Sequence, residues 1–330
     1  MTENRTETMR RNPEDIARCI REAQRIAVVS HINPDGDTLG SATAMRLILQ
    51  AIGKEVTLFC DGKIPDQMKF LPGAEQFRVP DGNEGPFDLM LAVDVSSEDR
   101  LGACQALIRK SRHTAQIDHH DTNPLYAEVN SVDGKASATC ALIREQMAAL
   151  SVPLTTDIAI CLYTGISTDT GNFAFALTNA EAFRIMSELM EHGLPLADLN
   201  RILFRVKPRE QARLIGRALE SLRFRGNGKI AVMKLTLADF RECGALSEHA
   251  DTVVNYGLDT VGTEMALLAR EAGDGKIKIS LRAREPARVD EAAKRFGGGG
   301  HAQASGISMT GTLDGCMEEV LKALEEKLLT

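Results

Sequence analysis

Arg25-Ile26-Ala27-Val28-Val29-Ser30-His31-Ile32-Asn33-Pro34-Asp35-Gly36-Asp37 is the stretch whose reading decides the fold. Its first six residues form a short, almost continuous apolar run, the pattern of a strand buried on both faces. The next seven change abruptly to His, Asn, Pro, Asp and Gly, so the strand runs straight into a turn. Residues 38–52 then show helical periodicity, and Gly53 closes them. Strand, polar turn and helix in that order open a parallel α/β sheet, and in such sheets ligands bind beyond the carboxyl ends of the strands. The turn is where a site belongs, although an Asp-Gly turn beside a helix cap has the same composition.

The pattern repeats outward from there. Residues 55–59, 88–93 and 114–117 read as further strands, and 135–150 and 155–167 as helices. From 179 to about 222 the periodicity is helical, broken near Gly193 and Pro195. Strands follow at 229–235, 263–270 and 276–282, with helices near 289–296 and 313–329. A chain of 330 residues exceeds what one core usually organises. The expectation is an α/β protein with two domains. Residues 1–185 form a mostly parallel sheet flanked by helices, 186–222 a helical linker, and 223–330 a smaller α/β domain, with the substrate cleft between the domains. Residues 1–14 read as a polar, disordered lead.

Composition excludes several classes. No stretch reaches the roughly 18–20 apolar residues of a membrane span, and no secretory leader is visible. The seven cysteines are odd in number and never paired as CxxC, which fits buried thiols in a reducing cytoplasm. A net charge of −7 argues against a long footprint on duplex nucleic acid. It is compatible with a small phosphorylated substrate, since acids gathered around cations add formal charge that the ions offset.

Four segments then carry candidate ligands. His31, Asp35 and Asp37 lie in the opening turn, and Asp94 ends the apolar run 89–93. Ile117-Asp118-His119-His120-Asp121 follows the next strand, and Asp169 closes an apolar helix in Gly165-Ile166-Ser167-Thr168-Asp169-Thr170-Gly171. Carboxylates and imidazoles together suit Mn²⁺, and carboxylates suit Mg²⁺. Six such ligands suffice for two ions sharing a carboxylate, the arrangement that activates water and neutralises phosphoryl oxygens. Neighbouring side chains at a strand end diverge, so one of His119 and His120 can bind metal while the other faces a phosphate. Asp118 is placed to orient a histidine ring. There is no G-x-S-x-G and no GxxxxGK[ST] to offer another chemistry. Far along the chain stands Gly297-Gly298-Gly299-Gly300-His301-Ala302-Gln303-Ala304-Ser305-Gly306. It follows a basic run, 276–295, with seven Lys and Arg against three acids. Glycines there permit close backbone approach to an anion.

In order, S-H-I-N-P-D-G-D, Asp94, D-H-H and G-I-x-x-D-T-G resemble the four motifs of the DHH phosphoesterase superfamily. The tail G-G-G-G-H-A-Q-A-S-G, with S-L-R before it, resembles the family's associated C-terminal domain. The match is best with the nanoRNase/pAp-phosphatase branch. The resemblance implies one Mn²⁺ on His31, Asp35 and Asp94, and a second on Asp37, Asp94, His119 and Asp169, with Mg²⁺ as the other candidate. It implies that His120 contacts the scissile phosphate, that Asp118 supports it, and that Arg282, Gly298, Gly299, Gly300, His301 and Ser305 bind substrate. It further implies a homodimer that hydrolyses short oligonucleotides to mononucleotides and 3′-phosphoadenosine 5′-phosphate to AMP. After Ser280-Leu281-Arg282 the family often has serine where this chain has Ala283. Alternatives are a hydrolase of linear dinucleotides such as pGpG, a manganese-dependent pyrophosphatase, which lacks the glycine-histidine signature, and a nucleotide-binding regulator without turnover.

Overall fold

The computed structural model describes residues 11–328, apart from the side chain of His301. Two compact units divide the chain between Val206 and Lys207. The first unit opens with α1 (Pro13–Glu22), β1 (Arg25–Val29), α2 (Gly36–Ala51), β2 (Glu55–Phe59) and β3 (Phe87–Val93). β4 (Ser111–Asp118), β5 (Val129–Val132), α3 (Thr139–Ala149), α4 (Thr156–Asp169), α5 (Ala180–Glu191) and α6 (Leu196–Asn200) complete it.

Its sheet has the order β2-β1-β3-β4-β5, and every pairing in it is parallel. The continuous apolar run of β1 has a direct cause. Ile26 and Val28 enter a core shared with α2, α3 and α4, while Ala27 and Val29 enter a second core against Leu101, Cys104 and Leu107. Both faces are covered from Ile26 to Val29, so none of those four positions is free to be polar, and only Arg25 at the strand's start is exposed. The chain adds β2 on one side of β1 and β3 on the other. That reversal makes the carboxyl ends of β1 and β3 the topological switch point.

Several expectations shift. The lead proposed for 1–14 falls largely outside the described residues, but Arg11 is ordered by Glu181 and Asp133, and Pro13 begins α1. Residues 135–138 are loop, and β5 precedes them. α2 begins at Gly36, because Asp35 Oδ1 accepts from the Asp37 and Thr38 amides and caps it.

The second unit runs through α7 (Arg209–Glu220), β6 (Arg223–Arg225), β7 (Ile230–Leu235), α8 (Leu237–Cys243), α9 (Val254–Leu258) and β8 (Met265–Gly273). It ends with β9 (Lys276–Ala283), α10 (Asp290–Arg295), β10 (Gly299–His301), β11 (Ala304–Thr310) and α11 (Leu313–Lys327). Its sheet is β10-β11-β9-β8-β7-β6, antiparallel except for β7 beside β8. The boundary between the two units falls inside the stretch 186–222. Leu189, Leu199 and Leu203 are buried in the first core, whereas Leu214, Ile215 and Ala218 of α7 are buried in the second unit. Each apolar face takes the nearest core, and the boundary is a single point.

Candidate functional site

Three strand ends and two helix ends bring the candidate residues of the first unit together. His31 follows β1, Asp94 follows β3, and His119 and His120 follow β4. Asp37 lies in the first turn of α2, and Asp169 is the last residue of α4. The ligand atoms form three tight groups: His31, Asp35 and Asp94; Asp37, His119 and Asp169; and Asp94, His119 and His120.

Asp94 stands at the middle. Its Oδ2 lies 3.5 Å from His31 Nε2, which is 3.6 Å from Asp35 Oδ2. Its Oδ1 lies 3.6 Å from His119 Nε2, which is 3.0 Å from Asp169 Oδ2 and 3.9 Å from Asp37 Oδ2. One carboxylate therefore turns an oxygen to each of two groups of candidate ligands. Asp94 adopts a left-handed backbone, φ 61°, costly for a residue with a Cβ and tolerated by aspartate better than by most. Its amide donates to the Ile117 carbonyl, which ties the end of β3 to β4.

The supporting contacts are specific. Asp37 is fully buried and accepts the Thr139 and Cys140 amides at 2.6 and 2.9 Å. These are the first two amides of α3, whose own N-cap position, Ala138, supplies no side-chain cap. Asp37 caps α3 from another helix and gains from that helix's positive end. The Thr139 hydroxyl donates to Asp94 Oδ1 at 2.9 Å. Gly165 lets α4 come close, since a Cβ there would lie 2.3 Å from Asp37 Oδ1. Asp118 accepts from His120 Nδ1 at 2.8 Å and is itself held by Asn123 Nδ2 at 2.6 Å. His120 is the open member of the pair, with 41% of its side chain exposed against 8% for His119. Thr139, Asn123 and Arg100, which lies beside His31, were not singled out from the sequence; each is an ordinary polar residue there, with no spacing signal to mark it.

Electrostatics shows what the group lacks. Burial alone lowers the His31 imidazole, but hydrogen bonds and charges from Asp35 and Asp94 outweigh it and raise it to about 10. His119 goes the same way, to about 10, under burial opposed by Asp169, Asp37 and Asp94. Burial chiefly, with the Asp35 and Asp169 charges, pushes Asp94 up to about 6 against the His31 hydrogen bond. Asp37 is driven well above the carboxylate range by burial and by Asp94 and Asp169. Four carboxylates converge with too little positive charge, and protons go where cations fit. The donor set, oxygens and imidazole nitrogens without a thiolate, fits hard or borderline divalent ions.

In the second unit Arg282 lies on β9, paired with Ala304, and Ser305 is buried on β11 opposite Gly300. Burial pulls the half-buried Arg282 guanidinium below its ordinary range. A Cβ on Gly300, at φ 139°, would lie 2.4 Å from the Ala304 carbonyl oxygen, so close strand pairing already demands this glycine.

The family model described as "DHH family, N-terminal domain" matches residues 25–166, and the DHHA1 domain model matches 227–330. The bifunctional oligoribonuclease and PAP phosphatase NrnA of Thermus thermophilus is 33% identical over 92% of this chain and 90% of its own length. The protein of the same name from Bacillus subtilis is 25% identical over 89% of this chain and 92% of its own. A crystal structure of an exopolyphosphatase-related protein from Bacteroides fragilis superposes with a TM-score of 0.88 at 25% identity, covering 96% of this chain and 95% of that one. The chain thus belongs to the DHH family of metal-dependent phosphoesterases, in the branch of the bifunctional oligoribonucleases and PAP phosphatases.

Proposed function

We propose that this protein hydrolyses oligonucleotides of two to about five residues to mononucleotides and converts 3′-phosphoadenosine 5′-phosphate to AMP and phosphate. The observation that carries the reading is the Asp94 carboxylate, whose two oxygens each face a separate group of ligands. His31, Asp35 and Asp94 hold one divalent ion, and Asp37, Asp94, His119 and Asp169 the other, with Mn²⁺ preferred over Mg²⁺. Bound together, such ions supply a nucleophile near neutral pH and neutralise phosphoryl charge. Asp118 fixes the His120 ring through Nδ1 and leaves Nε2 for a phosphoryl oxygen or the leaving group. Burial opposes protonation of His120, but the hydrogen bond and charge of Asp118 raise it above its ordinary range, which suits a donor. Arg282, His301, Ser305 and the backbone of Gly298, Gly299 and Gly300 bind the rest of the substrate.

Among the described residues no helix is long and apolar enough to cross a membrane. The reading places the enzyme in the cytoplasm, as a homodimer that leaves long duplexes alone. A Mn²⁺-dependent assay on RNA of two and about twenty nucleotides, 3′-phosphoadenosine 5′-phosphate, pGpG and pyrophosphate tests it. Preference for the short RNA and the bisphosphate is expected; preference for pyrophosphate, or equal rates on the long strand, overturns it.

A further inference from the structure

We infer that Arg100 is a substrate-binding residue of this site, donating its guanidinium to a non-bridging phosphoryl oxygen on the His31 side of Asp94. The inference rests on the phosphoesterase reading above and adds to it a residue from the first unit itself.

The turn that carries Arg100 is locked onto the loop that carries His31. The Ile32 amide donates to the Arg100 carbonyl at 2.9 Å, and the Arg100 amide donates to the Ser97 carbonyl at 3.0 Å. Two residues on, a Cβ at Gly102 would lie 2.4 Å from Ile32 Cγ2, so the two segments touch without space for a larger residue. The Ala103 amide donates to Asp61 Oδ2 at 2.8 Å, which fastens the turn to the chain beyond β2. The Arg100 backbone is therefore preorganised at the lip of the ligand group, and its Nη2 lies 3.3 Å from His31 Nδ1.

That contact is not a satisfied hydrogen bond. His31 Nδ1 also lies 2.7 Å from the Ile32 carbonyl oxygen, which only accepts, so Nδ1 carries the proton. A protonated Nδ1 has nothing to offer an arginine, and this tautomer is the one that leaves Nε2 free towards Asp35 and Asp94. The Arg100 guanidinium makes no ion pair within 4.0 Å among the described residues. A permanent cation thus stands on the Nδ1 edge of His31, one imidazole ring away from Asp35 and Asp94, and pairs with neither. Its five donors suit a planar, bidentate grip on phosphate.

The position complements His120. His120 Nδ1 is 3.9 Å from Asp94 Oδ1, while Arg100 approaches His31, which faces Asp94 Oδ2. A phosphoryl group seated over Asp94 would meet His120 at one end, and the Arg100 side chain would reach it at the other by extending past the His31 ring. Neither residue needs the second unit to do this.

The experiment compares Arg100→Ala and Arg100→Lys with the wild-type, metal-loaded protein. Readouts are kcat and KM on a two-nucleotide RNA and on 3′-phosphoadenosine 5′-phosphate, inhibition by inorganic phosphate, and bound metal per chain. Arg100→Ala is expected to keep both metals, to weaken inhibition by phosphate, and to lower kcat/KM by about ten- to a hundredfold on both substrates, the worth of one charge-assisted hydrogen bond. Arg100→Lys, which keeps the charge and loses the fork, should fall in between. Loss of metal in Arg100→Ala would instead make the residue a positioning group for His31 and overturn the inference. Unchanged kcat/KM and unchanged phosphate inhibition would overturn it as well. If Arg100→Ala fails to fold, Arg100→Lys decides alone, wild-type-like phosphate inhibition and kcat/KM counting against the inference. A wild type without phosphoesterase activity fails the functional reading, whereas an active wild type with indifferent variants fails only the assignment of Arg100.

Discussion

The two halves of the ligand group around Asp94 are built differently from similar donors. On the His119 side, Asp37 is fully buried, wedged against Gly165, and holds the first amides of α3. On the His31 side, Asp35 keeps 58% of its side chain exposed, with one oxygen spent on capping α2 and the other turned to His31. One half is enclosed by helices; the other is a surface turn. The difference teaches that an identical list of ligand types does not imply identical sites, because preorganisation comes from what surrounds the ligands.

The strongest attack on this comparison goes through the residue both halves share. Asp94→Asn removes the anion from both, and activity should fall by at least about a thousandfold, the several kcal/mol that paired ions contribute. Calorimetric titration with Mn²⁺ should show fewer than two ions bound. Two ions bound normally with most activity kept would mean that Asp94 is not shared.

Next comes the division between adjacent histidines. His120→Ala should retain both metals yet slow turnover by about a hundred- to a thousandfold, as expected for loss of a proton donor. His119→Ala should lose an ion from the enclosed half. Equal metal content in the two purified variants breaks the distinction.

A smaller effect probes the scaffold. Thr139→Val deletes the hydroxyl that donates to Asp94 Oδ1 while keeping the shape, and should cost about 1–2 kcal/mol, roughly tenfold in kcat/KM. No change in kcat/KM would show that Asp94 holds its orientation without α3.

The finest test sharpens the contrast itself. Under increasing chelator, the ion on the His31 side should leave first, and a preorganisation difference of about 1.4 kcal/mol separates the two steps by a tenfold change in affinity. Asp35→Asn should advance the first step and leave the second unmoved. A single step, or a first step unaffected by Asp35→Asn, removes the proposed inequality.

The sequence made the strand-turn-helix opening legible because a strand buried on both faces, as β1 is from Ile26 to Val29, has no choice but to be apolar there. It also made six candidate ligands legible, which the structure brings into three tight groups, since His and Asp at strand ends are unusual where packing alone would suffice. The start of α3 was not legible. The expected helix began at 135, four residues early, because Ala138 carries no capping side chain and the cap comes from Asp37, about a hundred residues away. The division of 186–222 between two cores was hidden for a related reason. An amphipathic helix shows that it has a partner and not which one.

By itself, then, the sequence determined the parallel sheet, the order of its ligand-bearing turns and the chemistry those side chains offer, all of which are local in the chain. Only the tertiary structure decided that Asp94 turns one oxygen to each group, that α3 rests on Asp37, and that Arg100 stands beside His31. Those facts depend on distances between segments some tens of residues apart or more, and such distances are set by how helices and strands pack, which no local pattern encodes.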